Sequence, residues 1–319
     1  MKKTLWRELS KNHLTDSDLK HLQNYSSASE ALFRLQVPAF YQQLIDLKNS
    51  KDPLLLQILP TADEQLKKEE FSDDPVGDLH ASKEQGIIHK YHGRVLLIST
   101  GSCAINCRYC FRRNFPYSQN NASSHNWSKA IHYIKSHPDI HEVILSGGDP
   151  LMLSTKVLKK LSQQLETIKH LKTLRIHTRI PLVSPSRINS SFLQWINTVA
   201  LKKVMVVHCN HPNELAQELE SPLKRLRDSG VLLLNQSVLL KGINDNSNIL
   251  CALSQRLFEL DILPYYLNLL DKANGTHHFK VTKTRAKQIH YELLQRLPGY
   301  LVPKLVEEIS GKKNKSPIF

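Results

Sequence analysis

Six short apolar runs alternate along the chain with stretches of helical periodicity, and this alternation constrains the fold more than any other feature. Each run is nearly continuous in apolar residues, as strands buried on both faces require. The runs cover residues 94–100, 142–147, 173–178, 202–209, 231–240 and 262–270. Strands that alternate with helices predict a parallel sheet with right-handed crossovers. Six such units fit either a doubly wound sheet or a partial barrel.

Polar side chains stand at the carboxyl ends of most of these runs. They are Thr100, Ser146, Thr178, His208 and Asp271. In a β/α barrel, the carboxyl ends of the parallel strands form the face on which the chemistry takes place. We therefore expect the functional site at this edge of the sheet. The first 85 residues instead carry apolar residues at helical spacing, and the charged stretch 63–78 reads as a surface connection.

The chain is basic, with 43 Lys and Arg against 29 Asp and Glu, a formal net charge of +14. The basic residues are scattered and accompany no zinc-finger, RNA-recognition or helix-turn-helix pattern, so a solvated basic surface explains them better than a nucleic-acid interface. No apolar run reaches the roughly 20 residues of a membrane span, and the first residues lack the apolar segment of a secretion signal. We expect a cytoplasmic protein that binds neither nucleic acid nor membrane.

Three of the five cysteines lie within eight residues, in the segment GSCAINCRYCFRR that follows the first apolar run. Cys103, Cys107 and Cys110 have the spacing C-x₃-C-x₂-C, and three thiolates on one loop can bind a single soft metal centre. A zinc site with a fourth ligand such as His125, or three unrelated thiols, are the alternatives. Three ligands favour a four-iron cluster, because a cubane held this way leaves one iron open to a small molecule, whereas structural zinc sites are closed.

This loop, together with a second motif, resembles the radical S-adenosylmethionine superfamily. Tyr109 directly precedes the third cysteine, and EVILSGGDP sets four motif residues at the end of the second run. These residues are Ser146, Gly147, Gly148 and Asp149. Glycines let backbone groups approach a ligand closely, and a carboxylate accepts hydrogen bonds from an ammonium group. The resemblance implies that the open iron binds the methionine moiety and that this motif binds its amino group.

A closer resemblance extends from about residue 90 to the C-terminus. HKYHGRVLL, CRYCFRR, LSGGDPL, RIHTRIPLVSPSRI, HPNEL, NQSVLLKGIND and the terminal KSP are similar to blocks of the lysine 2,3-aminomutase family. The resemblance implies an α/β fold, a partial (β/α)₆ TIM-like barrel of the radical SAM type with an N-terminal helical extension. It also implies a [4Fe-4S] cluster on the three cysteines, S-adenosyl-L-methionine and pyridoxal 5′-phosphate. We divide the chain accordingly into residues 1–85, 86–300 and 301–319, the last carrying the pyridoxal phosphate lysine.

Lys315, in the terminal NKSPIF, stands where the family has the lysine that forms a Schiff base with pyridoxal phosphate. Without the resemblance, this lysine is an ordinary residue of a solvated basic tail, with Lys312 and Lys313 as competitors. A Schiff-base lysine must be neutral to attack a carbonyl carbon, which requires burial or a cationic neighbour. We therefore expect the tail to fold over the mouth of the barrel.

Other residues match family positions around the two organic cofactors. Lys90, Tyr91 and Arg94 match the surroundings of the pyridoxal phosphate group, although the family more often has arginine at the first of these positions. The resemblance places three further residues near the cofactors, each with the ordinary alternative of a polar barrel residue with internal partners. These are His208, near the adenosyl group, and Asn235 and Gln236.

The resemblance also assigns residues to the substrate. Arg112 matches the arginine that binds the substrate carboxylate, and a bidentate guanidinium–carboxylate pair fixes its geometry. Asp271 matches one acidic partner of the terminal ammonium group of lysine, and Glu308 stands where the family often has aspartate. These two carboxylates oppose an anionic side chain, so L-lysine is favoured over another amino acid such as glutamate. A basic RNA-binding protein with a structural cluster is the alternative from a different class.

The chain stops four residues after Lys315, at Phe319. Clostridial-type family members continue into a cysteine-bearing tail that binds zinc between subunits, so we expect no zinc here and leave a homo-oligomer open. The short form resembles the aminomutase of the elongation factor P β-lysylation pathway, whose product is (R)-β-lysine. The resemblance implies an electron donor of the flavodoxin or ferredoxin type and a functional link to an elongation factor P lysyl-ligase.

Overall fold

The computed structural model describes residue 9 and residues 11–22, 24–120 and 127–319. His125, the residue considered as a fourth zinc ligand, lies outside these ranges. Within them, no helix combines the length and the apolar composition that crossing a membrane requires.

Within the described residues, ten strands form one sheet whose spatial order follows the chain order. The strands are β1 (Ser82–Glu84), β2 (Ile87–Tyr91), β3 (Arg94–Thr100), β4 (Glu142–Gly147), β5 (Thr173–Thr178), β6 (Lys202–Val207), β7 (Val231–Val238), β8 (Leu263–Asn268), β9 (Lys304–Glu307) and β10 (Ser316–Pro317). Strands β3 to β9 pair in parallel, and β1, β2 and β10 add antiparallel edges. A doubly wound sheet reverses its strand order at a switch point. The order found here does not reverse over the described residues, which confirms the partial barrel.

The six apolar runs form strands β3 to β8, and the first three strands begin and end at the predicted residues. Strands β6 to β8 are each shorter than their apolar run by two or three residues. The reason is visible at Leu240 and Leu270, which leave the sheet to pack with Tyr109 and Phe279 in a small separate apolar cluster. Strand β9 was not predicted, because it is short and only partly buried.

Helices connect the parallel strands and make up most of the regular structure before β1. They are α1 (Asp16–Leu19), α2 (Ser27–Leu32), α3 (Ala39–Gln43), α4 (Pro53–Leu56), α5 (Ser128–Lys135), α6 (Thr155–Glu166), α7 (Ile180–Val183), α8 (Ser190–Thr198), α9 (Glu220–Asp228), α10 (Ser247–Glu259) and α11 (Lys283–Arg296). The early helices are short because proline interrupts the pattern: α3 begins directly after Pro38, which cannot continue a preceding helix. The longer helix α6 begins at a serine cap, where Ser154 accepts from the backbone N–H of Val157.

The largest apolar cluster of the described residues joins the N-terminal helices, the sheet and the tail. It includes Leu54 before the sheet, Leu97 within it and Ile318 directly after the last strand. The two ends of the sheet also approach each other, because Lys90 Nζ in β2 lies 2.9 Å from Oε1 of Glu308, just after β9. A sheet whose opposite ends meet in one ion pair is strongly curled, as a barrel requires.

Candidate active site

The three cysteines lie on the loop that leaves β3 at the carboxyl edge of the sheet. Burial raises the pKa of the Cys103 thiol well above its usual value, and the neighbouring Cys110 and Asp149 raise it further. Burial and the neighbouring Cys107 raise the pKa of Cys110 to about 11. The three thiols therefore lie near enough to raise one another's pKa, and such thiols ionise when a bound metal compensates their charge.

Three thiols on one loop suit a cubane, in which each cysteine binds a different iron and one iron stays open. The residues present therefore fit a [4Fe-4S] cluster held by Cys103, Cys107 and Cys110.

Residues of the N-terminal region hold the cysteine loop from behind. Arg108, which is fully buried, donates to Glu64 from Nε at 2.8 Å and from Nη2 at 2.5 Å. Arg113 adds a third bond, from Nη2 to Oε2 of Glu64 at 2.6 Å, and the backbone N–H of Asn106 donates to the carbonyl of Gln36. Sequence reasoning gave residues 1–85 no role. The arginines next to the cysteines were the sequence feature that could have indicated this contact.

Gly147 and Gly148, at the end of β4, pack directly on the cysteine loop. A Cβ at Gly148 would lie 2.4 Å from the carbonyl oxygen of Ser102, and Gly147 has a φ of +108°, so only glycine fits at both positions. The carboxylate of Asp149 accepts from the backbone N–H of Arg179 at 2.7 Å and from three further donors. Asp149 thus fastens the turn to the end of β5, and its contact with the methionine amino group stays a prediction.

Arg179, which follows β5, connects the cysteine loop to a buried polar network that sequence reasoning missed. Its Nη1 donates to Sγ of Cys107 at 2.8 Å and to the hydroxyl of Tyr109 at 3.0 Å. Its Nη2 donates to Oε2 of Glu214 at 2.7 Å and to Oε1 of Gln57 at 2.8 Å. A guanidinium beside a cluster ligand is the kind of outer contact that tunes an iron–sulfur centre. The block RIHTRIPLVSPSRI contains this arginine and was the available signal.

His208 lies beside the cysteine loop at the end of β6. Its Nε2 is 2.9 Å from the hydroxyl of Tyr109, and the two rings are 5.6 Å apart. Burial and the charge of Arg179 lower the pKa of His208 to about 4, so the imidazole is neutral at neutral pH. Its predicted place near the adenosyl group stays a prediction.

Asn235 has internal hydrogen-bond partners, and its predicted place near a cofactor stays a prediction. Asn235 and Gln236 are successive residues of β7 and therefore face opposite sides of the sheet. Asn235 is buried, its amide oxygen accepts from the backbone N–H of Cys209, and its Nδ2 donates to the carbonyl of the same residue. Gln236 instead is half-buried and pairs with Tyr266 of β8, and its side chain makes no hydrogen bond to a described residue.

Arg112 enters the barrel interior two residues after Cys110. Its Nε donates to Oδ2 of Asp78 at 2.7 Å and its Nη1 donates to Oγ of Ser146 at 3.2 Å. Its Nη2 has no hydrogen-bond partner in the part of the chain that the structure describes, so one edge of the guanidinium is available to a carboxylate. Burial would raise the pKa of Asp78, but the charges of Arg112 and Lys90 outweigh it and lower that pKa.

Asp78 was missed because its charged neighbours made residues 63–78 read as a surface connection. That interpretation is wrong for Asp78 and Glu64, which are both buried. Asp78 also pairs with Lys90 at 2.5 Å. The ammonium group of Lys90 is thus already held by Asp78, by Glu308 and by the carbonyl of Val76, and its predicted contact with the pyridoxal phosphate group stays a prediction.

The C-terminal tail returns to the sheet, where β10 pairs with β9. Nζ of Lys315 donates to Oδ1 of Asn268 at 2.9 Å and to Oε2 of Glu308 at 3.1 Å. Burial would raise the pKa of Glu308, but the charges of Lys315 and Lys90 outweigh it and lower that pKa to about 2. Glu308 is therefore an ionised partner of two lysines.

Two charged side chains of the site have no partner of opposite charge among the described residues. Asp271 follows β8, and burial raises its pKa to about 7, with the charge of Lys315 only partly opposing this effect. The guanidinium of Arg94 lies over the ring of Tyr91, 4.8 Å from the centroid, and contacts no carboxylate. A cationic ligand group at Asp271 and an anionic ligand group at Arg94 would each supply the missing partner.

His177 is a further inward-facing residue that sequence reasoning missed. It pairs with Val206 across β5 and β6, and its Nε2 is buried without a hydrogen-bond partner among the described residues. Burial and the charge of Arg175 hold the pKa of His177 well below its usual value, so the ring is neutral. His177 belongs to the block RIHTRIPLVSPSRI, and the family resemblance of that block was the sequence feature that could have indicated it.

Comparison with known proteins agrees with this geometry. Residues 92–210 match the family described as a 4Fe-4S single cluster domain. The L-lysine 2,3-aminomutase of Escherichia coli (strain K12) is 45% identical over 291 residues, which cover 91% of this chain and 85% of that protein. The L-lysine 2,3-aminomutase of Haemophilus influenzae is 45% identical over 98% of this chain and 94% of that protein. The chain belongs to the lysine 2,3-aminomutase family.

As a lysine 2,3-aminomutase family member, the protein is an isomerase of the aminomutase type within the radical SAM superfamily. Enzymes of this family use an iron–sulfur cluster, S-adenosylmethionine and pyridoxal phosphate, which agrees with the three predicted cofactors. The L-lysine 2,3-aminomutase of Clostridium subterminale is 34% identical over 90% of this chain and 69% of that protein. The radical SAM enzyme coproporphyrinogen III oxidase from Escherichia coli is 13% identical, with a TM-score of 0.43 over 74% of this chain and 57% of that one.

Proposed function

We propose that this family member converts L-α-lysine to (R)-β-lysine and that it does so with pyridoxal 5′-phosphate bound to Lys315. The position of Lys315 carries the proposal. Its Nζ reaches Asn268 and Glu308 in the barrel, whereas its tail neighbours Lys312 and Lys313 are exposed. A lysine held in the barrel by Asn268 and the carboxylate of Glu308 suits an amino-acid site better than a solvated tail does.

The two ends of the site suit a diamino acid. The free edge of Arg112 is available to the substrate carboxylate as a bidentate partner. Asp271, half-buried and without an ion pair among the described residues, is available to a second ammonium group. Glutamate would instead bring a second carboxylate against Asp271, and like charges in a buried site repel each other strongly.

The described residues also fit a pyridoxal phosphate group. Lys315 supplies the amine, and Arg94 supplies a guanidinium without an anionic partner. Gln236 supplies a side-chain amide that has no hydrogen-bond partner among the described residues. Pyridoxal phosphate would hold the substrate amino group, while the cluster and S-adenosylmethionine would supply one-electron chemistry at the substrate carbon. The protein's part is to orient these groups and to exclude water from them.

The product's destination belongs to the same proposal. We propose that β-lysine serves the post-translational modification of elongation factor P, with a flavodoxin- or ferredoxin-type electron donor and a functional link to an elongation factor P lysyl-ligase. The chain spans 85% and 94% of the Escherichia coli and Haemophilus influenzae relatives but 69% of the clostridial one. This agrees with the sequence resemblance to the short form of the family.

The test is anaerobic incubation of the reconstituted protein with L-lysine, S-adenosylmethionine and a reductant, followed by chiral amino-acid analysis. We expect (R)-β-lysine from the unaltered protein and none from Lys315→Ala. Lys313→Ala is the matched control, because it removes an exposed lysine of the same tail. Absence of β-lysine, or equal yields from the two variants, would contradict the proposal, and (S)-β-lysine would overturn its stereochemical part.

A further inference from the structure

We infer that Asn268, Glu308 and the ring of Tyr266 form an ammonium cradle, which holds Lys315 whenever its Nζ is not bonded to the cofactor. The inference rests on the proposed function of Lys315 and adds a role for Asn268, a residue that neither the motifs nor the family resemblance singled out. The cradle favours replacement of Lys315 by the substrate amine, since it stabilises the lysine that this replacement releases.

The geometry of the cradle selects the protonated lysine. Nζ of Lys315 lies 2.9 Å from Oδ1 of Asn268, 3.1 Å from Oε2 of Glu308 and 5.9 Å from the ring centroid of Tyr266. An ammonium group has three donors and no acceptor, and all three partners are hydrogen-bond acceptors or a negative ring face. A neutral amine, which has fewer protons and no charge, gains less from these partners.

Both acceptors are held in place independently of Lys315. Asn268 is buried, and its Nδ2 donates to the carbonyl of Ser237 at 2.9 Å, which turns Oδ1 towards Lys315. The other oxygen of Glu308 accepts from Lys90 at 2.9 Å. Asn268 also lies at the end of β8, in register with Val306 of β9. Groups fixed on paired strands form a preorganised site rather than a chance contact.

Exchange of amines on the cofactor explains why such a site is needed. When the substrate nitrogen forms its double bond to the cofactor carbon, the double bond between that carbon and Lys315 Nζ breaks. The substrate ammonium gives up two protons in this exchange and Lys315 takes up two, so the total charge is unchanged. The released lysine is then an ammonium group inside the barrel, where an unpaired charge is costly. Asn268 and Glu308 remove that cost.

The test measures where the cofactor resides before any radical chemistry. Protein loaded with pyridoxal phosphate is mixed with saturating L-lysine, without S-adenosylmethionine or reductant, and reduced with borohydride. Mass spectrometry then gives the ratio of pyridoxyl groups on free lysine to those on the Lys315 peptide. We expect Asn268→Leu to lower this ratio by about tenfold, the effect of losing one hydrogen bond to a charged group. We expect Asn268→Asp to raise it, because a second carboxylate holds the ammonium more tightly.

The two variants control for each other. Both lose the hydrogen bond to Ser237, so shifts in opposite directions separate the cradle from general damage to the strand. If Asn268→Leu does not fold, the direction of the Asn268→Asp shift decides. An unchanged ratio, or a shift of both variants in the same direction, overturns the inference. Absence of any trapped cofactor on Lys315 in the unaltered protein overturns the proposed function instead.

Discussion

The charged residues of the site alternate in sign along a row of contacts. Asp78 lies between Arg112 and Lys90, and Glu308 lies between Lys90 and Lys315. Each of these buried or half-buried charges therefore has a partner of opposite charge, without which burial would be unfavourable. The row connects Arg112, the proposed carboxylate-binding residue, with Lys315, the proposed cofactor lysine, in one network.

Arg112 is predicted to act on the substrate rather than on cofactor binding. Arg112→Lys keeps the charge but loses the planar fork that contacts Asp78 and Ser146 and offers Nη2 to the substrate. We expect kcat/KM for lysine to fall by about a hundredfold, the scale of one lost bidentate charged pair. Iron content and pyridoxal phosphate absorbance are expected to stay unchanged. A variant with the original turnover rate would show that Arg112 does not bind the substrate.

Asp271 is predicted to couple lysine binding to proton release. Its pKa is raised to about 7, mainly by burial, so it is largely protonated below that pH. A bound ammonium group favours the carboxylate and lowers this pKa, so lysine binding releases a proton and becomes tighter as the pH rises towards 7. Calorimetry at about pH 6 in two buffers of different ionisation enthalpy measures the release. Asp271→Asn should bind lysine more weakly and release no proton, and equal release from both proteins would exclude the role.

Two elements that are far apart in sequence hold the cysteine loop. Glu64, in the 3₁₀ turn Ala62–Gln65, binds Arg108 and Arg113 on the loop. Arg179, which follows β5, donates to Cys107 from the other side. A loop alone would place its thiols loosely, whereas these two supports restrict the cluster ligands from both directions.

Glu64 is predicted to matter for stability and for iron retention together. Glu64→Gln leaves the buried guanidinium of Arg108 without its counter-charge, so we expect the free energy of unfolding to fall by ~3 kcal/mol. The reconstituted variant should also lose iron faster to a chelator. Glu70→Gln is the matched control, because Glu70 pairs with Lys272 and Lys280 at the exposed surface and contributes little there. Equal behaviour of the two variants would contradict the proposed support of the loop.

Over the whole molecule, the parallel strands were predictable because their signal is local. A nearly continuous apolar run indicates a strand buried on both faces, and β3, β4 and β5 begin and end where their runs do. Strand β9 has no such signal, since only two of its four residues are buried and its identity depends on pairing with β8. The division of the chain at residues 85 and 300 stays a prediction.

Some residues of the site lie in local sequence motifs, whereas others are placed by partners far along the chain. The cysteine spacing and the double glycine are local motifs and could be found in the sequence. Asp78 and Glu64 could not, because their burial depends on arginines far along the chain. Asn268 has no motif, since its role depends on a lysine 47 residues away. Asn235 and Gln236 stay predictions, because a strand's sequence does not state which of two adjacent polar residues faces the barrel.

The central claim is that Lys315, on the tail that returns to the sheet, bonds to pyridoxal phosphate. Reductive labelling tests this claim most directly. The protein, loaded with pyridoxal phosphate and without substrate, is reduced with borohydride, digested and mapped by mass spectrometry. We expect one pyridoxyl group, on the peptide carrying Lys315. A label on Lys312 or Lys313 alone, or on no lysine of the tail, would contradict it.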